Sequence, residues 1–362
     1  PSQSDTPIVI AGLFSSANGI GEAARSTYRA MSQAGLNPIA VDLSAPFAPV
    51  DLQTDIPCLP MPGNAEGTLI LQLNGPETMS ALQHLGLDRK RSWYTIGYWA
   101  WELPCFPPEW DEAFRYLSEI WAISTFTGKA VSSHPKAPQV EVIGHAIEPP
   151  SRMIRTRSKF HLKESDFVFL TFADSMSSLE RKNPFSTIRA FRSAFETDTN
   201  HQLLVKTRNL KQNSQAYADL NREIGDAPNI MLMDCSLSDQ DRWNLLYSVD
   251  AIVSLHRSEG FGLTLAEAMA VGKPVICTDW SGNMDFTDSD VAAVVQSRLV
   301  PCIDPYGIYQ NLDTQWAQAD EHEASRLMWR VAHDQNYRTS LATAARIKII
   351  RVGSPNALGC AM

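Results

Sequence analysis

Short apolar runs alternate with stretches of helical periodicity along most of the chain. In the first half the apolar runs predict strands at residues 8–14, 38–43, 68–73, 92–98, 119–123 and 140–143, and a helix at 21–34. In the second half they predict strands at residues 167–172, 202–206, 229–233, 251–255 and 274–278, helices at 185–195 and 263–271, and a mostly helical segment at 321–350. This alternation is typical of parallel sheets covered by helices on both faces, so the predicted fold class is α/β.

The length predicts two domains. A chain of 362 residues exceeds what one hydrophobic core usually organises. Two prolines, Pro149 and Pro150, and a basic stretch at residues 152–159 interrupt the periodic pattern. We therefore place an N-terminal Rossmann-like domain at residues 1–150, a C-terminal Rossmann-like domain at 151–340, and a helical tail at 341–362 for which packing back on the first domain is an option. The basic stretch is interpreted as a solvated linker rather than a lipid-binding patch.

Composition and charge restrict which partners the protein can have and which cellular compartment it can occupy. A net charge of -9 and a pI of about 5.4 argue against nucleic acid as a partner. The six cysteines form no C-x-x-C pair, which argues against a zinc site or a disulfide framework. The chain has neither the ~18 consecutive apolar residues of a membrane span nor a signal-like start. A cytoplasmic protein is expected, and a peripheral contact with the inner face of the membrane is left open.

A strand, a glycine-containing loop and a helix follow one another from residue 251 to residue 271. This order exposes the first amides of the helix at the carboxyl end of a strand, where doubly wound sheets bind phosphate-bearing ligands. Gly260 and Gly262 allow close approach of the backbone to a diphosphate. Glu259 and Glu267 flank the turn, and carboxylates beside a phosphate site indicate a ligand rich in hydroxyl groups.

This segment resembles the E-x7-E signature of family-4 retaining glycosyltransferases, in the form E-G-F-G-L-x-x-x-E. The resemblance implies the GT-B fold, with two Rossmann-like domains whose parallel sheets face each other across a donor cleft. It also implies that Glu259 contacts the donor sugar, that Glu267 holds the ribose, and that the backbone of Gly262, Leu263 and Thr264 receives the diphosphate. The alternative is a helix-terminal acid that complements the macrodipole together with a solvated glutamate.

A basic pair, Arg181 and Lys182, precedes the helix that begins near Pro184. The same family places such a pair after the first strand of its second domain to neutralise the donor diphosphate. Because Asp174 and Ser175 stand here in place of a G-R pair, the second cation is either Arg181 or Lys206. Cations in this role make a metal unnecessary, so no metal and no cofactor are expected. A pair of surface charges at a helix start is the alternative.

The opening segment holds a G-x-G-x-x-A pattern at Gly19, Gly21 and Ala24, with Asp42 at the end of the second predicted strand. This pattern suggests a dinucleotide site, but residues 15–18 separate the glycines from their strand, which is the wrong spacing. A longer loop suits a GT-B enzyme, in which Gly21 would contact the donor. A glycine-bearing loop without a ligand is the alternative.

An aromatic segment beginning at Thr95 supplies the candidate acceptor residues Tyr98, Trp101 and Glu102. Aromatic faces stack on sugar rings and a carboxylate can orient a hydroxyl, although a tryptophan in such a run is equally compatible with the core. The segment resembles a tract of bacterial polysaccharide-assembly glycosyltransferases. Other members of the family carry an acceptor-side histidine at this position, which this chain lacks, so no catalytic base is assigned. His256, which precedes the acid motif, either borders the donor sugar or is a satisfied buried histidine.

The predicted function is therefore transfer of a sugar, with retained anomeric configuration, from a nucleoside-diphosphate sugar. The acceptor would be a hydroxyl of a saccharide or of a lipid-linked saccharide, in the assembly of cell-surface polysaccharide. The alternatives are a GT-B nucleotide-sugar epimerase, an NAD-dependent dehydrogenase and a non-catalytic sugar-binding protein.

Overall fold

A computed structural model describes residues 6–63, 66–87, 92–196, 198–309 and 312–362. The chain forms two compact units: residues up to Glu148 together with Arg351–Met362, and Pro149–Ile350. The division differs from the predicted tail of residues 341–362, because one continuous helix, Gln335–Val352, runs through the position where a tail was expected to begin.

The first unit is built on a six-stranded sheet with the order β2-β1-β3-β4-β5-β6, in which every pairing is parallel. Its strands are β1 (Ile8–Gly12), β2 (Ile39–Asp42), β3 (Gly67–Gln72), β4 (Trp93–Trp99), β5 (Glu119–Ala122) and β6 (Gln139–Val142). Its helices are α1 (Gly19–Gln33), α2 (Ser44–Phe47), α3 (Gly75–His84), α4 (Thr125–Ser132) and, at the end of the chain, α12 (Pro355–Gly359). All six strands predicted in this half are confirmed.

The last helix of the chain packs on the first helix of the same unit. A Cβ added at Gly359 in α12 would lie 2.3 Å from the carbonyl oxygen of Ala30 in α1, so the two backbones meet closely. The amide of Ile147 also donates a hydrogen bond to the carbonyl of Gly353. These contacts explain why residues 351–362 group with the first unit.

The second unit repeats the plan with the parallel order β12-β11-β10-β7-β8-β9. Its strands are β7 (Phe167–Asp174), β8 (His201–Arg208), β9 (Ile230–Asp234), β10 (Ala251–Ser254), β11 (Val275–Thr278) and β12 (Ala293–Val295). A separate antiparallel pair consists of β13 (Ser297–Pro301) and β14 (Gln315–Ala319). Its helices are α5 (Leu179–Lys182), α6 (Pro184–Phe195), α7 (Ser214–Ile224), α8 (Asp239–Ser248), α9 (Leu263–Ala270), α10 (Glu321–His333) and α11 (Gln335–Val352). The five predicted strands are confirmed, whereas β12, β13 and β14 were missed.

The order of strands fixes where a ligand would bind in the second unit. Strand β7 lies between β10 and β8, so the chain reverses its direction of winding beside β7. Loops that leave the carboxyl ends of strands on the two sides of such a switch point diverge and open a crevice. The loops after β7 and β10 carry the predicted basic pair and the predicted acid motif, respectively. Within the described ranges, no helix combines the length and the apolar character that a membrane crossing requires.

Candidate functional site

The loop after β7 is fastened to the loop after β10. Helix α5 lies between two residues with left-handed backbone, Ser178 (φ 59°) and Asn183 (φ 51°). The Ser178 hydroxyl accepts a hydrogen bond from the amide of Arg181, and the Asn183 side chain donates one of 2.9 Å to the carbonyl of Leu255. The amide of Arg257 in turn donates to the carbonyl of Arg181 at 2.8 Å. These bonds hold a four-residue helix against the acid motif.

Both predicted cations converge on the first predicted acid. The Lys182 ammonium donates a 2.6 Å hydrogen bond to one carboxylate oxygen of Glu259, and the Arg181 guanidinium lies 3.2 Å from the other. Arg181 also donates to the carbonyl of Ser258 at 2.8 Å and to the hydroxyl of Ser177 at 2.6 Å. The side chains of Arg181 and Glu259 are 2% and 10% exposed, whereas that of Lys182 is 23% exposed, so Lys182 is the cation that solvent reaches.

The ion pairs decide the charge of the Glu259 carboxylate. Burial alone would raise its pKa, but the charges of Lys182 and Arg181 outweigh burial and lower the pKa to about 2. Glu259 is therefore ionised at neutral pH, and two cations face one carboxylate. The group has a net positive charge and suits an anionic ligand.

A second loop, which the sequence analysis did not single out, supports the backbone at Glu259. The Ser281 hydroxyl accepts a 2.8 Å hydrogen bond from the amide of Glu259, and the amide of Gly282 donates one of 2.9 Å to the carbonyl of Glu259. A Cβ at Gly282 would lie 2.0 Å from the carbonyl oxygen of Gly260, so only glycine fits there. Ser281 itself adopts φ 81°, an uncommon value for a residue with a side chain.

Helix α9 begins at the residues predicted to receive the diphosphate. Gly262 has φ 92° and caps the helix, and a side chain would be strained at this backbone angle. Leu263 and Thr264 are the first two helical residues, whose amides have no partner within an α-helix. The helix dipole adds positive potential there, so this turn can bind an anion.

The second predicted acid lies on the same helix and has a partner that the sequence analysis missed. Glu267 is buried in α9, and its carboxylate forms an ion pair with Arg242 of α8. Glu267 thus lies one turn from the helix start that Gly262 caps.

Lys206 and His256 are both buried near the loops at the carboxyl ends of the second-unit strands. The Lys206 ammonium at the end of β8 donates to the carbonyls of Thr207 and Cys235, and burial lowers its pKa while nearby Asp234 counteracts the shift. The role of Lys206 as a diphosphate cation stays a prediction. The His256 ring lies 3.0 Å from the Asn283 side-chain oxygen and 3.1 Å from the Ser254 carbonyl, and burial lowers its pKa.

In the first unit, Gly21 lies in the first turn of α1. Its amide donates a 2.8 Å hydrogen bond to the side chain of Asn18, which caps the helix. A Cβ at Gly21 would lie 2.3 Å from the carbonyl oxygen of Ser16, so the loop that follows β1 requires glycine here. Arg25 fixes the same loop with hydrogen bonds of 2.9 Å to the carbonyls of Phe14 and Ser16. These contacts give Gly21 a structural task, and its donor contact stays a prediction.

Asp42, the acid of the apparent dinucleotide pattern, is engaged within the protein. It accepts hydrogen bonds from the hydroxyl and the amide of Ser44 at 2.6 and 2.9 Å, and from the amide of Ser15. Burial works to raise the pKa of this carboxyl, but the hydrogen bonds outweigh it and lower the pKa. These internal bonds count against a ribose-binding role for Asp42 and against the dehydrogenase alternative.

The three acceptor candidates have different environments. Tyr98 is buried, and its hydroxyl lies 2.8 Å from the carbonyls of both Ile143 and Gly144. Trp101 packs edge-on against Trp110 at 5.0 Å between ring centroids, and its indole nitrogen donates to the backbone within its own loop. Glu102 is half-buried. Burial of the two aromatic residues fits a core role, and the acceptor role of all three stays a prediction.

Comparisons with known proteins agree with this geometry. Residues 161–298 match the sequence model of the family described as "Glycosyl transferases group 1", a range that contains the whole second-unit site. No curated protein matches the chain in sequence.

Among the described residues, no group of three or more histidine, cysteine, aspartate or glutamate side chains is placed to hold a metal ion.

Solved structures with a similar fold include three that cover at least 98% of this chain. HepE from Anabaena, solved with UDP and glucose, is 13% identical, covers 98% of both chains and has a TM-score of 0.65. Sucrose-phosphate synthase from Thermosynechococcus elongatus is 15% identical, with 99% and 97% of the chains covered and a TM-score of 0.67. A glycosyltransferase from Rickettsia africae is 14% identical, with 98% and 96% covered and a TM-score of 0.67. The predicted GT-B fold is confirmed.

Proposed function

We propose that this protein is a retaining glycosyltransferase of the family-4 type. It transfers a sugar from a nucleoside-diphosphate sugar to a hydroxyl of a saccharide or lipid-linked saccharide acceptor. The observation that carries the proposal is the convergence of Arg181 and Lys182 on Glu259, beside the first turn of α9 and inside the range that matches the glycosyltransferase family.

Each group in the loops after β7 and β10 has a role in the proposed reaction. Lys182 and Arg181, with the amides of Leu263 and Thr264, would stabilise the charge that develops on the departing diphosphate. A cation about 4 Å from a phosphate contributes ~4 kcal/mol at an effective dielectric near 20, which is enough to matter for a leaving group. The ionised Glu259 would hydrogen-bond the transferred sugar. Stabilisation of the leaving group in this way requires no strong protein nucleophile.

Glu267 would hold the ribose of the donor, and Gly21, Tyr98, Trp101 and Glu102 of the first unit would serve the donor and the acceptor. We further propose a role in the assembly of cell-surface polysaccharide, with peripheral contact at the inner face of the membrane. UDP-glucose is the first donor to test, because HepE has been crystallised with it.

The test is a donor screen with the full chain. Uridine, guanosine and adenosine diphosphate sugars are incubated with mixed saccharide acceptors, with and without EDTA, and products are followed by mass spectrometry and by NMR of the anomeric proton. The proposal predicts a nucleoside diphosphate, a glycosylated product of unchanged anomeric configuration, and full activity in EDTA. An altered free sugar released with the nucleotide would instead identify an epimerase, and inverted product or a divalent-ion requirement would contradict the proposed mechanism.

A further inference from the structure

Glu267 forms an ion pair with an arginine that lies on a different helix. Its side chain is only 5% exposed, and Arg242 of α8 forms an ion pair with its carboxylate. A buried carboxylate is costly unless it is paired, and removal of its partner leaves an uncompensated charge. Arg242 therefore controls how stably this acid is held in the first turns of α9.

The Arg242 side chain is also held by two residues other than Glu267. Its guanidinium lies 2.5 Å from a carboxylate oxygen of Asp239, one turn earlier on α8, and 5.0 Å from the centre of the Trp243 ring. A planar guanidinium that is held by two neighbours presents its remaining donors in a fixed direction. One of these remaining donors pairs with the Glu267 carboxylate.

We propose that Arg242 is a positioning residue that orients Glu267 toward the ribose of the donor and thereby sets the preference for ribonucleotides over 2′-deoxyribonucleotides. The proposal rests on the ribose-binding role of Glu267 in the proposed function. Arg242 acts through Glu267 and need not touch the donor. A hydrogen bond between a carboxylate and a hydroxyl depends strongly on angle, so loss of the oriented partner should weaken recognition of the ribose in particular.

The experiment compares Arg242→Gln and Arg242→Lys with a matched control. The control is Arg222→Gln, because Arg222 on α7 forms the same kind of ion pair three residues back on its own helix, with Asp219 at 2.8 Å. Calorimetry gives the dissociation constants of UDP and 2′-deoxy-UDP, or of the guanosine or adenosine pair if the wild type binds that base most tightly. Circular dichroism checks that each variant is folded.

The wild type and Arg222→Gln should bind the ribonucleotide about 10-fold more tightly than the deoxy form, which is the effect of one hydrogen bond to a charged group. In Arg242→Gln this ratio should fall to about 1 to 3, with the affinity for the deoxy form nearly unchanged. Arg242→Lys keeps the charge without the planar fork, so it should give an intermediate ratio and carries the test if the glutamine variant does not fold. In a Glu267→Gln background, Arg242→Gln should cause no further change of the ratio.

Two results would overturn the inference, and they differ. If the wild type discriminates and both Arg242 variants keep its ratio, or lose affinity equally for both nucleotides, then Arg242 does not position Glu267. If the folded wild type binds none of the three nucleoside diphosphates, the proposed function fails and the inference fails with it.

Discussion

Lys182 and Glu259 form a 2.6 Å ion pair between two loops that leave neighbouring strands of one sheet, β7 and β10. The two residues are 77 positions apart in sequence, and parallel topology brings them together at the switch point of the second unit. Because Lys182 is the more exposed of the two cations on Glu259, an incoming diphosphate can compete with the carboxylate for its ammonium.

Replacement of Lys182 should affect turnover first. We expect Lys182→Ala to lower kcat/KM for the donor by about 10- to 100-fold, since it removes a charged hydrogen bond to the leaving group. The control is Lys211→Ala, which removes an exposed lysine from the loop after β8 and should leave activity unchanged. Steady-state kinetics provide the measurement, and wild-type kinetics in both variants would remove Lys182 from the mechanism.

The Glu259 carboxylate should make stability depend on pH in the acid range. Its pKa of about 2 in the folded protein lies below the ordinary value of 4.5, so its ion pairs stabilise the fold above pH 4.5 and lose this contribution as the pH falls toward 2. The difference between these two pKa values corresponds to roughly 3 kcal/mol in the free energy of unfolding. Glu259→Gln should therefore be less stable at pH 7, and its difference from the wild type should shrink between pH 4.5 and 2. Urea midpoints measured at several pH values test this, and a difference that stays constant with pH would contradict it.

The two glycines at the start of α1 should respond differently to alanine. A methyl group at Gly21 would meet the carbonyl oxygens of Ser16 and Leu13 at 2.3 and 2.6 Å, whereas one at Gly19 meets nothing within 4 Å. Gly21→Ala should destabilise the protein by about 1 to 3 kcal/mol, and Gly19→Ala should be nearly neutral. If the loop after β1 contacts the donor, Gly21→Ala also raises the donor KM. Thermal melts beside donor titrations separate the two effects, and equal melting of both variants would refute the close packing.

Variants of Trp101 and Glu102 test whether the aromatic segment forms part of an acceptor site or only of the hydrophobic core. Trp101→Ala should destabilise the fold by ~3 to 5 kcal/mol whether or not the ring also contacts the acceptor, because the side chain is buried against Trp110. Glu102→Gln should leave the fold intact and raise the acceptor KM, with the affinity for nucleoside diphosphate unchanged. Acceptor-saturation kinetics on folded Glu102→Gln provide the test, and unaltered kinetics would remove Glu102 from the acceptor site.

Sequence patterns located the sheets and the acid motif because both are encoded locally. Apolar runs such as residues 167–172 mark buried parallel strands, and the residues from Glu259 to Glu267 are contiguous. The pairing of Arg242 with Glu267 joins two helices whose relative rotation no local pattern specifies. Gly282 escaped notice because its need for glycine comes from a backbone contact with Gly260, and the three residues of β12 are too few to show a period.

The proposed glycosyl transfer is tested by donor turnover of the wild type, Glu259→Ala and Glu267→Ala, on the donor that the screen selects. The wild type should release nucleoside diphosphate in step with a glycosylated product. Glu259→Ala should mainly lower kcat and Glu267→Ala should mainly raise the donor KM, each by about 1.5 to 3 kcal/mol in kcat/KM. A wild type that glycosylates no acceptor with any of the donors, or wild-type activity in both variants, would contradict it.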